Sequence, residues 1–285
     1  MVFTPYKLDA MFIVSHLINH YIPQRAKTLL KKTLSRLYGD RSFTPYIKKK
    51  NIEGAVFDFW IGDAEGRDWY DLSCTDPVWV ELRFMKDHII EQGDVILECG
   101  AHHGCTTIAL SQWIGDKGKL IAFEPVYKNC DIIQKNLELN KISNVMLVRK
   151  AVGAENGRTE ISGASNSSVV IAKHGTEVEL TCLDEYLSFQ PSFLKIDVEG
   201  YEVNVLRGAK RILSQHPKLA IEIHTDALLQ YGVSVAELFS LIDVDAYEMW
   251  VQWNDGEEPQ PYTMQLPITK RVHLFCIPKP QALKG

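Results

Sequence analysis

Residues 95–104 have the sequence Val-Ile-Leu-Glu-Cys-Gly-Ala-His-His-Gly, in which a short apolar run ends at a glycine-containing turn. The apolar run predicts a buried strand at Val95–Glu98, and the residues after the turn predict a helix near Thr107–Trp113. Gly100 and Gly104 allow the chain to turn tightly and to bring its backbone close to a ligand, and the helix N-terminus offers free N–H groups. An ordinary strand-to-helix turn has the same features, so both interpretations are open at this point.

The same alternation of short apolar runs and amphipathic stretches continues downstream. It predicts an α/β fold with a parallel sheet and helices on both faces. The last two strands are separated by a polar, proline-containing loop and no helix, which predicts a closing antiparallel hairpin. The further predicted strands are Leu120–Phe123, Val145–Arg149, Phe193–Asp197, Leu219–Ile223, Tyr247–Trp253 and Arg271–Ile277, and the further predicted helices are Tyr127–Leu139, Val203–Leu213 and Val235–Ile242.

The composition is that of a globular protein, with 46% hydrophobic and 24% charged residues in a chain of 285. The formal net charge of −5 argues against a dedicated nucleic-acid binder. The six cysteines are scattered without a CxxC pair, which argues against a zinc site and a disulfide framework and favours a reducing compartment. No signal peptide or run long enough to span a bilayer is evident, so we predict a cytoplasmic protein.

The charge is distributed unevenly, because the first 50 residues carry ten Lys or Arg and two Asp while the remainder has a net charge of −13. Within this basic region, residues 24–37 have leucines at helical spacing and cations on the other faces, which predicts a basic amphipathic helix. Residues 23–50 are therefore candidates for contact with an anionic membrane surface or with a glycosyltransferase, and a helix packed on its own domain is the alternative.

A β-hairpin is predicted over residues 55–72, with its turn at Gly62–Gly66. The predicted domains are an N-terminal extension, residues 1–77, and a catalytic domain, residues 78–285. The aromatic residues Trp60, Trp69 and Tyr70 of the extension can form part of an acceptor pocket or a hydrophobic core.

Ligands of open α/β sheets bind beyond the carboxyl ends of the strands. Glu124 follows the second predicted strand, where a carboxylate can accept hydrogen bonds from the ribose of a nucleoside. An exposed loop acid is the alternative for any single Glu. The dinucleotide motif GxGxxG is not matched, because His102 stands at the second glycine position.

Ionisable residues are concentrated at the ends of the fourth and fifth predicted strands. Lys195, Asp197 and Glu199 alternate along one side of an extended chain, and Glu222 and His224 do the same in the next strand. If the strands are neighbours, three carboxylates and a histidine meet at one edge of the sheet. Two interpretations remain open, a structural ion-pair network with the lysine or a site for proton transfer or cation binding.

Eight blocks of sequence occur in order between about Leu82 and Val244: Glu98-x-Gly100-Ala101-x-x-Gly104, Ala122-Phe123-Glu124-Pro125, Asn136-Leu137-x-x-Asn140, Ala151-Val152-Gly153, Leu183-Asp184, Lys195-Ile196-Asp197-Val198-Glu199-Gly200-x-Glu202, Leu206-x-Gly208-Ala209 and Glu222-x-His224. Together they resemble the FkbM family of S-adenosylmethionine-dependent methyltransferases. The resemblance implies a Rossmann-like class I methyltransferase fold with a mostly parallel seven-stranded sheet and an antiparallel C-terminal hairpin. It also implies O-methylation of a hydroxyl on a sugar, a glycan or a polyketide-type natural product.

The resemblance further implies which residues bind S-adenosylmethionine. Two positions differ from the family pattern, because Glu98 replaces an Asp and His102 replaces an Asn. His102 is expected either to contact the cofactor or to point to solvent. The predicted cofactor-binding residues are Glu98, Gly100, Ala101, His102 and Gly104 in the first turn, Glu124 and Pro125 after the second strand, Ala151 and Val152 near the adenine, and Asp197 near the cofactor amine.

Methyl transfer to an alcohol requires alignment of the acceptor oxygen and removal of its proton. We predict His224 as the general base, oriented by Glu222 or Asp197, with Glu199 contacting the acceptor. A Mg²⁺ ion on Asp197, Glu199 and Glu222 is the rival, less favoured, hypothesis. The expected acceptor is a small molecule, a glycan or a lipid-linked saccharide, and no nucleic acid.

Two other classes of function stay open from the sequence. A non-catalytic S-adenosylmethionine-binding regulatory subunit becomes attractive if the acceptor pocket is closed. A nucleotide-linked oxidoreductase is disfavoured by the missing glycine and by the C-terminal hairpin. The sequence leaves the identity of the acceptor and the oligomeric state open.

Overall fold

The computed structural model describes residues 43–72, 79–162, 168–169 and 175–280. The chain forms two compact units, residues 1–44 and 45–285, and the second contains nearly all of the described residues. The predicted basic helix at 24–37 and the predicted domain boundary between residues 77 and 78 lie outside the described ranges and stay predictions. Within these ranges, every helix is too short or too polar to cross a membrane.

The centre of the second unit is an eight-stranded sheet, which confirms the predicted α/β fold. Its five parallel strands agree with the predicted bounds to within one residue at each end, and the two antiparallel strands at one side form the predicted C-terminal hairpin. A two-residue strand adds an eighth to the seven predicted. With strands numbered along the chain, the order across the sheet is Gln260–Pro261 (β13), Tyr247–Gln252 (β12), Val272–Pro278 (β14), Lys218–Ile223 (β11), Phe193–Ile196 (β10), Val95–Cys99 (β3), Lys119–Phe123 (β4) and Val145–Val148 (β5).

Helices cover this sheet, so consecutive residues of β3 and β4 are apolar and buried rather than alternating with polar ones. Ile96, Leu97, Leu120 and Ile121 are completely buried. The helices are Ala64–Arg67 (α1), Val80–Phe84 (α2), Cys105–Ile114 (α3), Tyr127–Leu139 (α4), Glu202–Arg207 (α5), Lys210–Leu213 (α6), Thr225–Leu228 (α7) and Val235–Ser240 (α8), with π-helical turns at Asp68–Leu72 and Met85–Ile89 and 3₁₀ turns at Leu183–Phe189, Leu229–Tyr231 and Val244–Ala246.

The helix predicted at Val203–Leu213 is wrong as a single element, because it is broken into α5 and α6 around Gly208. A Cβ atom at Gly208 would lie 2.1 Å from the carbonyl oxygen of Gly153. The backbone at Gly208 therefore packs directly against the backbone at Gly153, and only a residue without a side chain fits there.

The hairpin predicted over residues 55–72 is also wrong. The strands that pair are Tyr46–Ile52 (β1) and Ala55–Ile61 (β2), around a turn at Glu53 and Gly54. Both turn residues have positive φ, 45° and 84°, which matches the twist of a tight hairpin. Asn51 fixes the turn, since its Oδ1 accepts a hydrogen bond from the Gly54 N–H at 3.1 Å.

The segment predicted as the hairpin turn instead begins a short helix. Asp63 caps α1 by accepting a hydrogen bond from the Gly66 N–H at 2.7 Å. The chain then continues through the π-helical turn at Asp68–Leu72, which brings Tyr70 toward the turn after β3.

Asn136 in α4 and Asn140 at its C-terminal cap attach the hairpin to the rest of the unit. Asn136 accepts a hydrogen bond from the Trp60 N–H at 2.7 Å, and Asn140 accepts one from the Asp58 N–H at 3.0 Å. Their amide groups donate to the carbonyl oxygens of the same two residues, at 3.4 Å and 2.7 Å. The side chains thus replace a neighbouring strand along the open edge of β2 and satisfy its backbone groups.

A second, four-stranded sheet was not predicted. Its strands are short and mostly polar, so no clear alternation marks them in the sequence. Buried Ile161 and Val178 form a small core of their own beneath it. In spatial order the strands are Ala151–Val152 (β6), Thr176–Thr181 (β9), Gly157–Ser162 (β7) and Ser168–Val169 (β8).

Candidate active site

A cavity of about 780 Å³ lies where the parallel strands of the main sheet end, which is the edge predicted for a ligand. Its volume falls in the range of small-molecule sites. The turns after β3, β4, β10 and β11 all contribute side chains to its wall. Of the predicted site residues, the lining includes Gly100, Ala101, His102, Glu124, Pro125, Ala151, Val152, Asp197, Glu199, Glu222 and His224.

Glu98 and Gly104 are the two predicted cofactor residues that do not line the cavity. Glu98 is completely buried in β3, and its Oε2 accepts a hydrogen bond from the Thr107 hydroxyl at 2.7 Å. It is paired in register with Lys195 of β10, and burial raises the pKa of its carboxyl group. The structure thus places Glu98 inside the sheet and does not support the predicted contact with the methionine part of a cofactor.

Gly100 is required by the protein itself rather than by a ligand. Its φ is 88°, and a Cβ atom there would lie 1.8 Å from the carbonyl oxygen of Asp197. The turn after β3 therefore rests directly on the end of β10. Gly104 has a φ of 84° and precedes α3, where a Cβ atom would touch Ile133 at 3.3 Å.

Glu124 is held by three N–H groups. Its Oε2 accepts from the backbone of His102 at 2.9 Å, and its Oε1 accepts from the backbone of Val126 at 2.9 Å and from the Asn129 side chain at 3.2 Å. Only 4% of the residue is exposed, and this burial raises the pKa of the carboxyl group to about 7. A carboxylate has about four acceptor positions, so one remains for a ligand in the cavity.

His102 does not point to solvent, which resolves the alternative that the sequence left open. Its Nδ1 lies 2.6 Å from the hydroxyl of Tyr70, and its ring stacks on the ring of His103 with centroids 4.2 Å apart. Burial lowers the pKa of His102 to about 3, so the imidazole is neutral. The ring joins the turn after β3 to the π-helical turn at Asp68–Leu72.

His224 follows β11 at the same edge of the sheet and lies among three carboxylates. Its Nδ1 is 2.8 Å from Oε1 of Glu202, and its Nε2 is 3.4 Å from Glu222 and 3.6 Å from Glu199. Burial alone would lower the pKa of His224, but the hydrogen bonds to Glu202 and Glu222 outweigh it and raise the pKa to about 11. These contacts favour the protonated imidazole, which is a poor proton acceptor, and the role of His224 as general base stays a prediction.

The remaining acids of this cluster are paired with cations. Lys195 Nζ lies 3.5 Å from Asp197, and the Arg271 guanidinium bridges Glu222 and Asp255. Burial and the Glu222 charge raise the pKa of Asp197. Burial would also raise the pKa of Glu222, but its contacts with His224, His273 and Arg271 hold it well below the usual range.

Because Glu222 is bound to Arg271, it is poorly placed for the metal set predicted from the sequence. The structure instead groups Asp197, Glu199 and His224, whose ligand atoms all lie within 4.8 Å of one another. Of the predicted trio, Asp197 and Glu199 belong to this group, and His224 stands in it where Glu222 was predicted.

Several cavity or cluster residues carried no role in the sequence interpretation. Glu202 belongs to one of the eight sequence blocks that resemble the family, but the sequence did not predict its contact with His224. That contact depends on the packing of α5 against β11. Glu81 lines the cavity from α2, and burial raises its pKa to about 7. Arg271 reaches the site from a distant part of the chain, so local pattern gave no signal for it, whereas Tyr70 lines the cavity as one of its two sequence interpretations predicts.

Comparison with known proteins places the chain in a family. A family model described as the methyltransferase FkbM domain matches residues 98–251, which is more than half of the chain and contains most of the cavity residues. No curated protein sequence matches significantly.

Solved structures that align with this chain include two methyltransferases and a fibrillarin. A methyltransferase FkbM from Methylobacillus flagellatus KT aligns with a TM-score of 0.49 and 20% identity over 71% of this chain and 48% of that one. An S-adenosylmethionine-dependent O-methyltransferase from Thermotoga maritima aligns with a TM-score of 0.44 and 12% identity over 80% of this chain and 77% of that one. Aeropyrum pernix fibrillarin with bound S-adenosylmethionine aligns with a TM-score of 0.41 and 13% identity over 84% of this chain and 85% of that one.

The sheet order, the cavity at the strand ends and the family match agree on the class of protein. With residues 98–251 matched, this chain belongs to the FkbM family of S-adenosylmethionine-dependent methyltransferases.

Proposed function

We propose that the protein transfers a methyl group from S-adenosylmethionine to a hydroxyl of a polyhydroxylated acceptor, a sugar or glycan or a polyketide-type natural product. The observation that carries this proposal is a single cavity that joins two chemically different ends. One end presents Glu124, a buried carboxylate with an acceptor position left for a ligand. The other presents the cluster of Asp197, Glu199 and His224, whose polar atoms suit hydrogen bonds to several hydroxyl groups.

The residues present at the first end fit the cofactor. Glu124 can accept a hydrogen bond from a ribose hydroxyl, and the apolar side chains of Ala151 and Val152 suit contact with a purine. Asp197 offers a carboxylate to the cofactor amine. When bound, S-adenosylmethionine supplies a methyl group on a positively charged sulfur.

The acceptor oxygen forms a bond to the methyl carbon while the bond from that carbon to sulfur breaks, and the electron pair stays on sulfur. The hydroxyl proton has to leave in the same process. The carboxylates around His224 favour its protonated form, so the ring is a poor base and is better suited to hold Glu199 and Glu222 in place. Glu81 and Asp197 are better suited, because burial raises the pKa of each carboxyl toward neutrality.

The wall that selects the acceptor comes largely from outside the segment matched by the family. Trp69, Tyr70 and Trp79 line the cavity before that segment, and Asp255 and Arg271 line it afterwards. Aromatic faces stack on sugar rings, and the charged groups can bind their hydroxyls. This combination favours a sugar-like acceptor over an apolar one.

The test is methyl transfer from isotopically labelled S-adenosylmethionine to a panel of acceptors. The panel contains methyl glycosides, oligosaccharides and macrolactone alcohols, with amines and transfer RNA as controls. We expect S-adenosylhomocysteine and a methyl ether to form only with hydroxylated acceptors, and Glu81→Gln to slow the reaction. Labelling of the amines or the RNA alone would contradict O-methylation. Tight binding of S-adenosylhomocysteine without transfer to any acceptor would favour the regulatory subunit.

A lipid-linked saccharide acceptor, a cytoplasmic location and contact of residues 23–50 with a membrane surface or a glycosyltransferase remain proposals. Deletion of residues 1–40 tests the contact. If the basic segment binds membranes, the shortened protein keeps its activity on a free sugar and no longer sediments with anionic vesicles. Unchanged sedimentation would reject membrane contact through this segment.

A further inference from the structure

The cluster after β10 and β11 has the composition of a cation site. Asp197 and Glu199 each offer a carboxylate oxygen, His224 offers a ring nitrogen, and these three atoms lie within 4.8 Å of one another. We propose that they bind a divalent cation of the Mg²⁺ or Mn²⁺ class, which also contacts the acceptor hydroxyl. This inference rests on the proposed function, because it states how the same site activates the acceptor.

The surroundings of His224 support this assignment. Its Nδ1 is engaged by Glu202 at 2.8 Å, which leaves Nε2 between Glu222 at 3.4 Å and Glu199 at 3.6 Å. Histidines that bind metals usually hydrogen-bond a carboxylate through the other ring nitrogen, which fixes the ring. The carboxylate is itself fixed, because Oε1 of Glu202 also accepts from the Gly200 N–H at 2.8 Å.

The burial of Glu202 provides a separate argument. The residue is completely buried, and its Oε2 has no hydrogen-bond partner among the described residues. A buried carboxylate is costly unless a positive charge lies beside it. Oε1 of this carboxylate contacts Nδ1 of His224, so a metal ion on Nε2 of the same ring would place a positive charge beside the buried group.

The neighbouring charges define the ligand set and its strength. Glu222 is occupied by Arg271 and is therefore excluded from the set. Lys195 lies 3.5 Å from Asp197 Oδ2 and competes with the cation for this carboxylate. We therefore expect the cation to bind weakly, with water and the acceptor hydroxyl completing its coordination sphere. Three protein ligands suit a Mg²⁺ ion, which usually retains several waters.

A cation at this position changes where the acceptor proton goes. Coordination of the acceptor oxygen makes its O–H group more acidic. With Asp197 on the metal, the proton passes to Glu81, the cavity carboxylate outside the ligand set. The oxygen then forms its bond to the methyl carbon, the carbon–sulfur bond breaks with its electron pair on sulfur, and the cation is unchanged.

The experiment titrates the full chain, saturated with S-adenosylhomocysteine, with MnCl₂ in a calorimeter and follows free Mn²⁺ by electron paramagnetic resonance. We expect one saturable site per chain. Glu199→Gln and His224→Asn should weaken Mn²⁺ binding at least tenfold and leave the affinity for S-adenosylhomocysteine unchanged. Asp255→Asn is the matched control, since it removes a charge from the same cavity outside the ligand set and should keep the Mn²⁺ site.

The outcomes separate the two proposals. A protein that binds S-adenosylhomocysteine but shows no saturable Mn²⁺ site overturns the cation and leaves the proposed function standing, with a proton supplying the charge on His224. Equal Mn²⁺ affinity in Glu199→Gln and in the unchanged chain also overturns it. Absence of S-adenosylhomocysteine binding removes both proposals. If His224→Asn fails to fold, Glu199→Gln decides the question, because Glu199 lies in a partly exposed turn.

Discussion

The two ends of the cavity are built by different means. At the cofactor end, neutral groups fix a shape, since backbone and amide N–H groups hold Glu124 and a neutral His102 contacts Tyr70. At the acceptor end, opposite charges hold one another, as in the pairs of His224 with Glu202 and of Arg271 with Glu222. A fixed shape suits a cofactor that never changes, whereas a charged cluster suits the binding and deprotonation of a hydroxyl.

Gly100 is where the two ends touch, and its substitution should have the largest effect. In Gly100→Ala the new Cβ lies 1.8 Å from the Asp197 carbonyl oxygen, at a φ of 88°. We expect a loss of more than about 4 kcal/mol in the free energy of unfolding, or failure to fold. Gly93→Ala is the control, because Gly93 has a φ of 90° with nothing within 4 Å, and it should cost only about 1–2 kcal/mol. Equal losses in chemical denaturation would show that the contact between the two ends is not tight.

The ends should also respond differently when one carboxylate is neutralised. Glu124→Gln removes a charged acceptor from the cofactor end, and we expect S-adenosylhomocysteine to bind about 10- to 100-fold more weakly by calorimetry. Glu199→Gln, at the other end, should leave this affinity within about threefold, because it does not reach the ribose position. If both variants lose affinity equally, the division of the cavity into two ends is wrong.

A pH titration sharpens the comparison further. Burial raises the pKa of Glu124 to about 7, and a ribose hydroxyl donates a stronger hydrogen bond to the ionised carboxylate than to the protonated acid. Cofactor binding therefore lowers this pKa, so the affinity for S-adenosylhomocysteine should be full above pH 7 and fall by up to about tenfold per pH unit below it. Measured between pH 8.5 and 5.5, Glu124→Gln should show a flatter profile. A flat profile in the unchanged chain would remove Glu124 from the ribose site.

The smallest effect is expected at the attachment of the N-terminal hairpin. Asn140→Ala removes the amide that bonds both backbone groups of Asp58, at 3.0 Å and 2.7 Å. We expect a loss of about 1 kcal/mol in the free energy of unfolding. Gln134→Ala, on the exposed face of α4, is the control and should change little. No difference between the two variants would mean that water replaces the asparagine without cost.

The sequence placed most residues of both ends at the cavity, but it missed the contacts within the acceptor end, for a physical reason. Strand ends and the turns that follow them are local, so Ala101, Glu124 and Val152 were placed correctly at the cavity. The protonation of His224 depends on Glu202 and on burial, which only the packed fold defines. Spacing along a strand shows which side chains share a face, but it does not show which of them find a partner from another element.

The hairpin and the small sheet show the same limit. The turn at Glu53 and Gly54 is set by positive φ angles, and the edge of β2 is completed by asparagines 76 or more residues away. The strands of the second sheet have few buried residues, so no apolar pattern revealed them. Short elements that are stabilised by distant partners carry little local signal.

A crystal structure of the complex with S-adenosylhomocysteine tests the central claim most directly. We predict that a ribose hydroxyl donates to Glu124 and that the sulfur faces the cluster of Asp197, Glu199 and His224 within the same cavity. A ligand bound elsewhere, or one whose ribose does not contact Glu124 and whose sulfur points away from this cluster, would contradict the account.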